Sequence, residues 1–182
     1  MHGLIHAELR RFVTTNLGSA AWDAMLTESG VGTKAYLATA VYPDAEIVAL
    51  VGAAVKLTGL PAGKLLHDFG EFMAPTLIGT YKAFVKPEWK TLDLLENTER
   101  TIHKVVRMKD AGAQPPHLRA TRPSTDEVII EYDSPRKMCD VAKGIVKGVA
   151  AYYKEGVVIT EAECMNTGGK RCRISVRTNG VS

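Results

Sequence analysis

The chain has 182 residues, 46% of them hydrophobic and 24% charged, with 23 Lys and Arg against 20 Asp and Glu. That length and apolar content support one packed domain, or one domain of two lobes, and exclude intrinsic disorder. A net charge of +3 spread along the chain is too weak to indicate a nucleic-acid partner.

No apolar run is long enough to span a membrane. Glu8, Arg10 and Arg11 lie where a signal peptide needs an apolar stretch, so a cytoplasmic protein is expected. The first predicted helix covers 4–17, where Ile5, Leu9, Phe12 and Val13 recur at helical spacing. A second covers 20–27 and is closed by Gly30 and Gly32. Tyr42-Pro43-Asp44 starts a third, which carries the apolar run 47–57, and Pro61 opens a fourth over 62–74. Pro87 interrupts the chain before a helix over 91–108, and 110–116 has loop chemistry. Residues 128–132 read as a strand and 136–153 as a helix, in which Gly144 and Gly148 leave room for a close neighbour. Further strands at 157–160 and 172–176 flank a Thr167-Gly168-Gly169 turn. Helices first, then strands with one long helix, define an α+β class.

Several patterns lead nowhere. Gly30-Val31-Gly32 has the opening of a dinucleotide fingerprint, but a helix precedes it where that motif needs a strand. His2 and His6 have the spacing of helix-borne metal ligands without a third ligand nearby. No nucleophile stands beside a base, so an enzyme is not expected.

Two features carry chemistry. Tyr132, Ser134 and Arg136 alternate, so in an extended chain a phenol, a hydroxyl and a guanidinium share one face and suit a ligand bearing carboxylates. The competing reading makes Ser134 a cap and Pro135 the first residue of a helix, which turns Arg136 off that face. His103 lies on one helical side with Leu92, Leu95, Ile102 and Val106, as a core histidine or as an axial ligand to haem iron.

The whole chain resembles the haem-nitric oxide/oxygen binding (H-NOX) family, found as the sensor module of soluble guanylate cyclases and as stand-alone bacterial proteins. The likeness rests on Met1-His2-Gly3-Leu4-Ile5, on Leu65-Leu66-His67-Asp68-Phe69-Gly70-Glu71-Phe72, on His103, and on Tyr132-x-Ser134-x-Arg136. Ser134-Pro135-Arg136-Lys137-Met138-Cys139 is similar to one bacterial subgroup. The resemblance implies a helical distal lobe (1–62) and a proximal lobe (63–182) with a small antiparallel sheet, enclosing haem b. It implies His103 as iron ligand and Tyr132, Ser134 and Arg136 as propionate partners. Pro116, with Pro115 beside it, falls where the family presses a proline on the porphyrin.

In oxygen-binding members a distal tyrosine donates to bound dioxygen, and the corresponding residue here is Val141. Ile5, Leu9, Val141 and Ile145 then form an apolar wall, while Tyr152 and Tyr153 lie about three turns further along the helix. The resemblance thus implies nitric oxide, with carbon monoxide as a further ligand, and oxygen as the alternative gas. Release of His103 would carry the signal to a partner, a histidine kinase or a cyclic-dinucleotide enzyme.

Cys139, Cys164 and Cys172 are an odd number in a chain expected to stay reduced, which leaves free thiols or a metal site. Some bacterial relatives hold zinc with three such cysteines and a histidine, at whose position this chain has Glu161. A zinc or thiol redox sensor, and a haem-free interaction scaffold of the same fold, are the alternative functions.

Overall fold

The computed structural model describes residues 1–109 and 112–179, so Asp110 and Ala111 of the expected loop lie outside the described residues. Helices α1 (Gly3–Leu17), α2 (Ser19–Ser29), α3 (Asp44–Thr58) and α4 (Ala62–Thr80) come first. Their boundaries follow the punctuation of the sequence: α2 stops where Gly30 takes φ +69°, a left-handed conformation that costs glycine nothing, and Pro43 and Pro61 immediately precede α3 and α4. Leu9, Val13, Trp22, Met25, Ile47 and Leu50 bury their side chains against Phe69 and Met73 of α4 in a first core.

α4 continues past the expected end at Ala74, through Pro75, to Thr80. Proline has no N–H for the Glu71 carbonyl one turn back. That carbonyl faces Gly148 of α7 (Cys139–Tyr152), where a Cβ would stand 2.5 Å from it. A Cβ on Gly144 would overlap the His67 carbonyl. α4 and α7 therefore pack backbone against backbone, and the proline is accommodated at that crossing.

The expected helix over 91–108 is three pieces: α5 (Thr91–Asn97), a π-helical turn (Glu99–His103) and α6 (Lys104–Lys109). In the turn the His103 N–H reaches back five residues to the Thr98 carbonyl, at 3.0 Å. The hydroxyls of Thr98 and Thr101 bond the carbonyls of Leu94 and Asn97, four residues back, and such back-bonding loosens the regular ladder. A π turn is wider than an α turn and rotates the residues after it about the helix axis.

Strands β1 (His117–Ser124), β2 (Glu127–Asp133), β3 (Val157–Glu163) and β4 (Cys172–Thr178) form an antiparallel sheet in the order β1-β2-β4-β3. Val128, Ile130 and Tyr132 alternate inward and lie opposite Val176, Ile174 and Cys172. With Leu92, Leu95, Cys139 and Val146 they make a second core. β1 was not expected from the sequence. It is a largely exposed edge strand in which Leu118 and Ala120 turn inward onto the second core, and Pro123 sits where its register with β2 shifts, a position that tolerates a missing donor. α7 begins at Cys139 instead of 136, because Lys137 takes φ +51° and cannot continue a helix. A third cluster of Ala74, Ile78, Leu94 and Val149 ties α4, α5 and α7 together. The result is an α+β protein. Among the described residues no single helix is long and apolar enough to cross a membrane.

Candidate functional site

β2 ends at Asp133, and the chain turns immediately. The Ser134 hydroxyl accepts the Arg136 N–H at 3.3 Å, so Ser134 closes this turn and does not cap α7. The Arg136 side chain is only 8% exposed and folds back across the molecule. Its Nη1 donates to Asp44 Oδ2 at 3.0 Å, and its Nη2 donates to the Gln114 carbonyl. The amino-terminal ammonium takes the other Asp44 oxygen at 2.7 Å. Burial alone would raise the Asp44 carboxyl, but the ammonium and Arg136 outweigh it and hold it below its ordinary range. The start of α3 is thereby tied to the turn after β2.

His103 closes the π turn with its side chain 14% exposed. Its Nδ1 lies 2.9 Å from Glu99 Oε2, one turn back along the same element. Glu99 has further partners: Arg107 Nη1 donates to Oε1 at 2.8 Å, and the Leu118 N–H donates to Oε2 at 3.2 Å. Burial opposes the charge on Glu99, yet the bonds from His103 and Arg107 bring its pKa down to about 2. Leu118 is the β1 residue directly opposite Tyr132. The imidazole and the Tyr132-Ser134-Arg136 turn are thus attached to neighbouring strands at one end of the sheet. Pro116 enters the same region, its carbonyl accepting from Arg107 Nη2 at 3.4 Å.

The residues expected on the distal side are apolar and lie between α1 and α7. Leu9 is buried in the first core, and Ile5, Val141 and Ile145 pack on that core. Ile145 also touches the third cluster, as does the half-buried Tyr153. Tyr152 is 50% exposed with its ring edge-on to Tyr153. An apolar cavity of about 40 Å³ lined by Leu9, Phe12, Val13, Met25 and Phe69 lies within the helical part and touches none of His103, Tyr132, Ser134 or Arg136.

The cysteines converge. Cys139 at the start of α7, Cys164 after β3 and Cys172 at the start of β4 place Sγ atoms 3.6 Å (Cys139 to Cys164) and 3.9 Å (Cys172 to Cys164) apart. A carboxylate oxygen of Glu161 lies with all three sulfurs inside a 4.8 Å span. Glu161 Oε2 is held by Lys143 Nζ at 2.7 Å, while Oε1 is buried without a hydrogen-bond partner among the described residues. The Met165 N–H and Asn166 Nδ2 point at Cys172 and Cys139 sulfur, at 3.2 and 3.4 Å. Burial, then the neighbouring thiols, push the Cys139 thiol well up; burial also raises Cys172. A bound cation reverses that order, because a coordinating thiol gives up its proton.

Glu99, Arg107 and Asp44 were not singled out from the sequence. A carboxylate four residues before His103 and a guanidinium four after it are a visible helical pattern, whereas the Asp44–Arg136 contact spans 92 residues and left no local trace.

The architecture is that of solved H-NOX proteins. A Shewanella oneidensis H-NOX protein in the Fe(II)NO ligation state superposes with a TM-score of 0.92 at 22% identity, covering 99% of this chain and all of that one. The Fe(II)CO form from S. oneidensis gives 0.88 at 22% identity over both whole chains. An I5F mutant of T. tengcongensis H-NOX gives 0.86 at 20% identity, covering 99% of this chain and 98% of that one. Residues 2–161 match the haem-NO-binding family, and the chain belongs to that family of haem-based gas sensors. The donor set suits the group the family binds. A carboxylate only accepts, so His103 donates from Nδ1, and Nε2 is the ring nitrogen left to face a metal. Arg136, already holding a carboxylate, has the geometry for a propionate.

Proposed function

We propose that this protein is a cytoplasmic sensor of nitric oxide, with haem b held between a distal lobe (1–62) and a proximal lobe (63–182). His103 supplies the proximal nitrogen. Tyr132, Ser134 and Arg136 hold the propionates, and Pro116 lies against the porphyrin. When bound, haem supplies the ferrous iron that takes the gas. Ile5, Leu9, Val141 and Ile145 face that gas with no hydrogen-bond donor, and this apolar lining carries the reading. Bound dioxygen draws negative charge and needs a donor; nitric oxide and carbon monoxide are nearly neutral and do not. A hydrogen bond to a charged acceptor is worth about 1.5–3 kcal/mol, so its absence speeds oxygen loss by about ten- to a hundredfold. Departure of His103 on nitric oxide binding frees the π turn and α6 to move. A partner, a histidine kinase or a cyclic-dinucleotide enzyme, reads that movement.

Cys139, Cys164, Cys172 and Glu161 hold a structural zinc ion. Zinc–sulfur bonds of about 2.3 Å in a tetrahedron place sulfurs about 3.8 Å apart, and the two contacts of 3.6 and 3.9 Å straddle that value. A disulfide needs about 2.05 Å. Lys143 engages Oε2 and leaves Oε1 for the metal.

Absorption spectra of the ferrous protein test the gas assignment. Exposure to air is expected to yield no stable oxygen complex, while nitric oxide shifts the spectrum at low concentration. A stable oxygen complex would overturn the assignment and require a distal donor.

A further inference from the structure

His103 does not stand alone on its turn. Glu99 reaches Nδ1 from one turn below, and it is itself gripped from two other directions by Arg107 and the Leu118 amide. Three donors on two oxygens leave the carboxylate one position, and an adjacent guanidinium keeps it ionised. The π turn contributes as well. Its wider circuit brings the His103 N–H onto Thr98 while the side chains of residues 99 and 103 stay within bonding distance. Leu118 belongs to β1, so the clamp also fixes the imidazole relative to the sheet that carries Tyr132.

We propose that Glu99 is a positioning residue for the proximal ligand, which sets the strength of the iron–His103 bond and so the ease with which His103 leaves. The inference rests on the proposed role of His103 as that ligand. A carboxylate accepting the far N–H of a ligating histidine selects the tautomer, aims the ring and raises the basicity of the ligating nitrogen. An anion pulling on Nδ1–H makes Nε2 a stronger donor, which favours ferric over ferrous iron and opposes loss of the histidine. Arg107 draws on the other carboxylate oxygen and tempers that pull. The same contact has a second consequence: once His103 leaves the iron, Glu99 retains the ring on the π turn beside β1.

Two substitutions separate charge from orientation. Glu99→Gln keeps an acceptor for Nδ1–H but removes the anion; Glu99→Leu removes both. The readouts are the iron–histidine stretching frequency in the ferrous protein by resonance Raman, the haem reduction potential, and the share of the nitric oxide complex that has lost His103. Glu99→Gln should lower the frequency, raise the potential and increase that share. Glu99→Leu should add faster haem loss, within the roughly 10–100-fold typical when the partner of a metal ligand is removed. If Glu99→Gln leaves frequency and potential at wild-type values, Glu99 is a structural ion-pair residue only and the proposal fails. If wild-type protein has no iron–histidine band, or one that survives His103→Gly, then His103 is not the ligand, and the functional reading falls with the inference.

Discussion

His6 gives the fold an acid-sensitive element whose cost can be worked out. It lies on α1 with no exposed surface, stacked on Tyr36 at 4.3 Å between ring centroids and tilted against Tyr42 at 5.3 Å. Neither ring nitrogen has a hydrogen-bond partner among the described residues. Burial disfavours the imidazolium more than the nearby His2 carbonyl favours it, and the pKa falls from 6.5 to about 4. Each unit of pKa corresponds to about 1.4 kcal/mol, so a fall of that size makes protonation of His6 worth roughly 3 kcal/mol against the native state. The direction follows from which state binds the proton. Well above pH 6.5 neither does, and stability is complete. Below it the unfolded chain takes up a proton that the folded chain refuses, and stability is lost progressively until about pH 4, where the loss levels off. Urea unfolding of wild type and His6→Phe at a series of pH values from about 8 to about 4 measures this. Phenylalanine keeps the stack on Tyr36 and cannot titrate. The stability difference between the two proteins should shift in favour of the variant by roughly 3 kcal/mol across that range. Parallel curves would mean that the ring finds a partner on protonation and that its burial carries no acid penalty.

Arg136→Ala should accelerate haem loss by about ten- to a hundredfold, the value of one charge-assisted hydrogen bond of about 1.5–3 kcal/mol. An unchanged dissociation rate would confine Arg136 to its Asp44 and Gln114 contacts. For the cysteine cluster, metal analysis of purified protein should find one zinc per chain. Cys139→Ser should lower that content and the thermal midpoint together, because Cys139 and Cys172 are both fully buried in the second core. Equal stability with and without a strong chelator would leave three reduced thiols and no metal.

Most boundaries of the first four helices were legible because glycine and proline act locally: Gly30 needs a left-handed turn wherever it stands, and Pro43 and Pro61 begin helices on their own geometry. Where tertiary contacts decide, local reading failed. Pro75 looks like a helix stop until α7 packs on the carbonyl it leaves free. β1 offers an apolar face of two residues, Leu118 and Ala120, too short a pattern to announce a strand, and β2 supplies its partners. At the site, the Tyr132, Ser134 and Arg136 pattern was visible, but its geometry was not. Arg136 leaves the strand direction at the turn and is drawn to α3 by Asp44, a contact no spacing encodes. The glutamate at position 161 looked like a poor zinc ligand by residue type. Its paired and unpaired oxygens, one on Lys143 and one facing the sulfurs, became apparent only with the chain folded.

The crossing of α4 and α7 bears on how any displacement travels through the molecule. Most helix pairs meet through side chains, and those can change rotamer, so one helix can slip over the other and absorb a push. Here Gly70, Gly144 and Gly148 bring main chain onto main chain, and at those contacts no side chain with a rotamer to change lies between the two helices. They behave as a single stiff spine, with one end in the helical core and the other beside the sheet. Compliance is displaced to the periphery, to the short joints at Gly18 and Gly59 and to the wide turn that carries His103. A displacement of that turn, which touches the third cluster through Ile102, would therefore meet α4 and α7 as one unit.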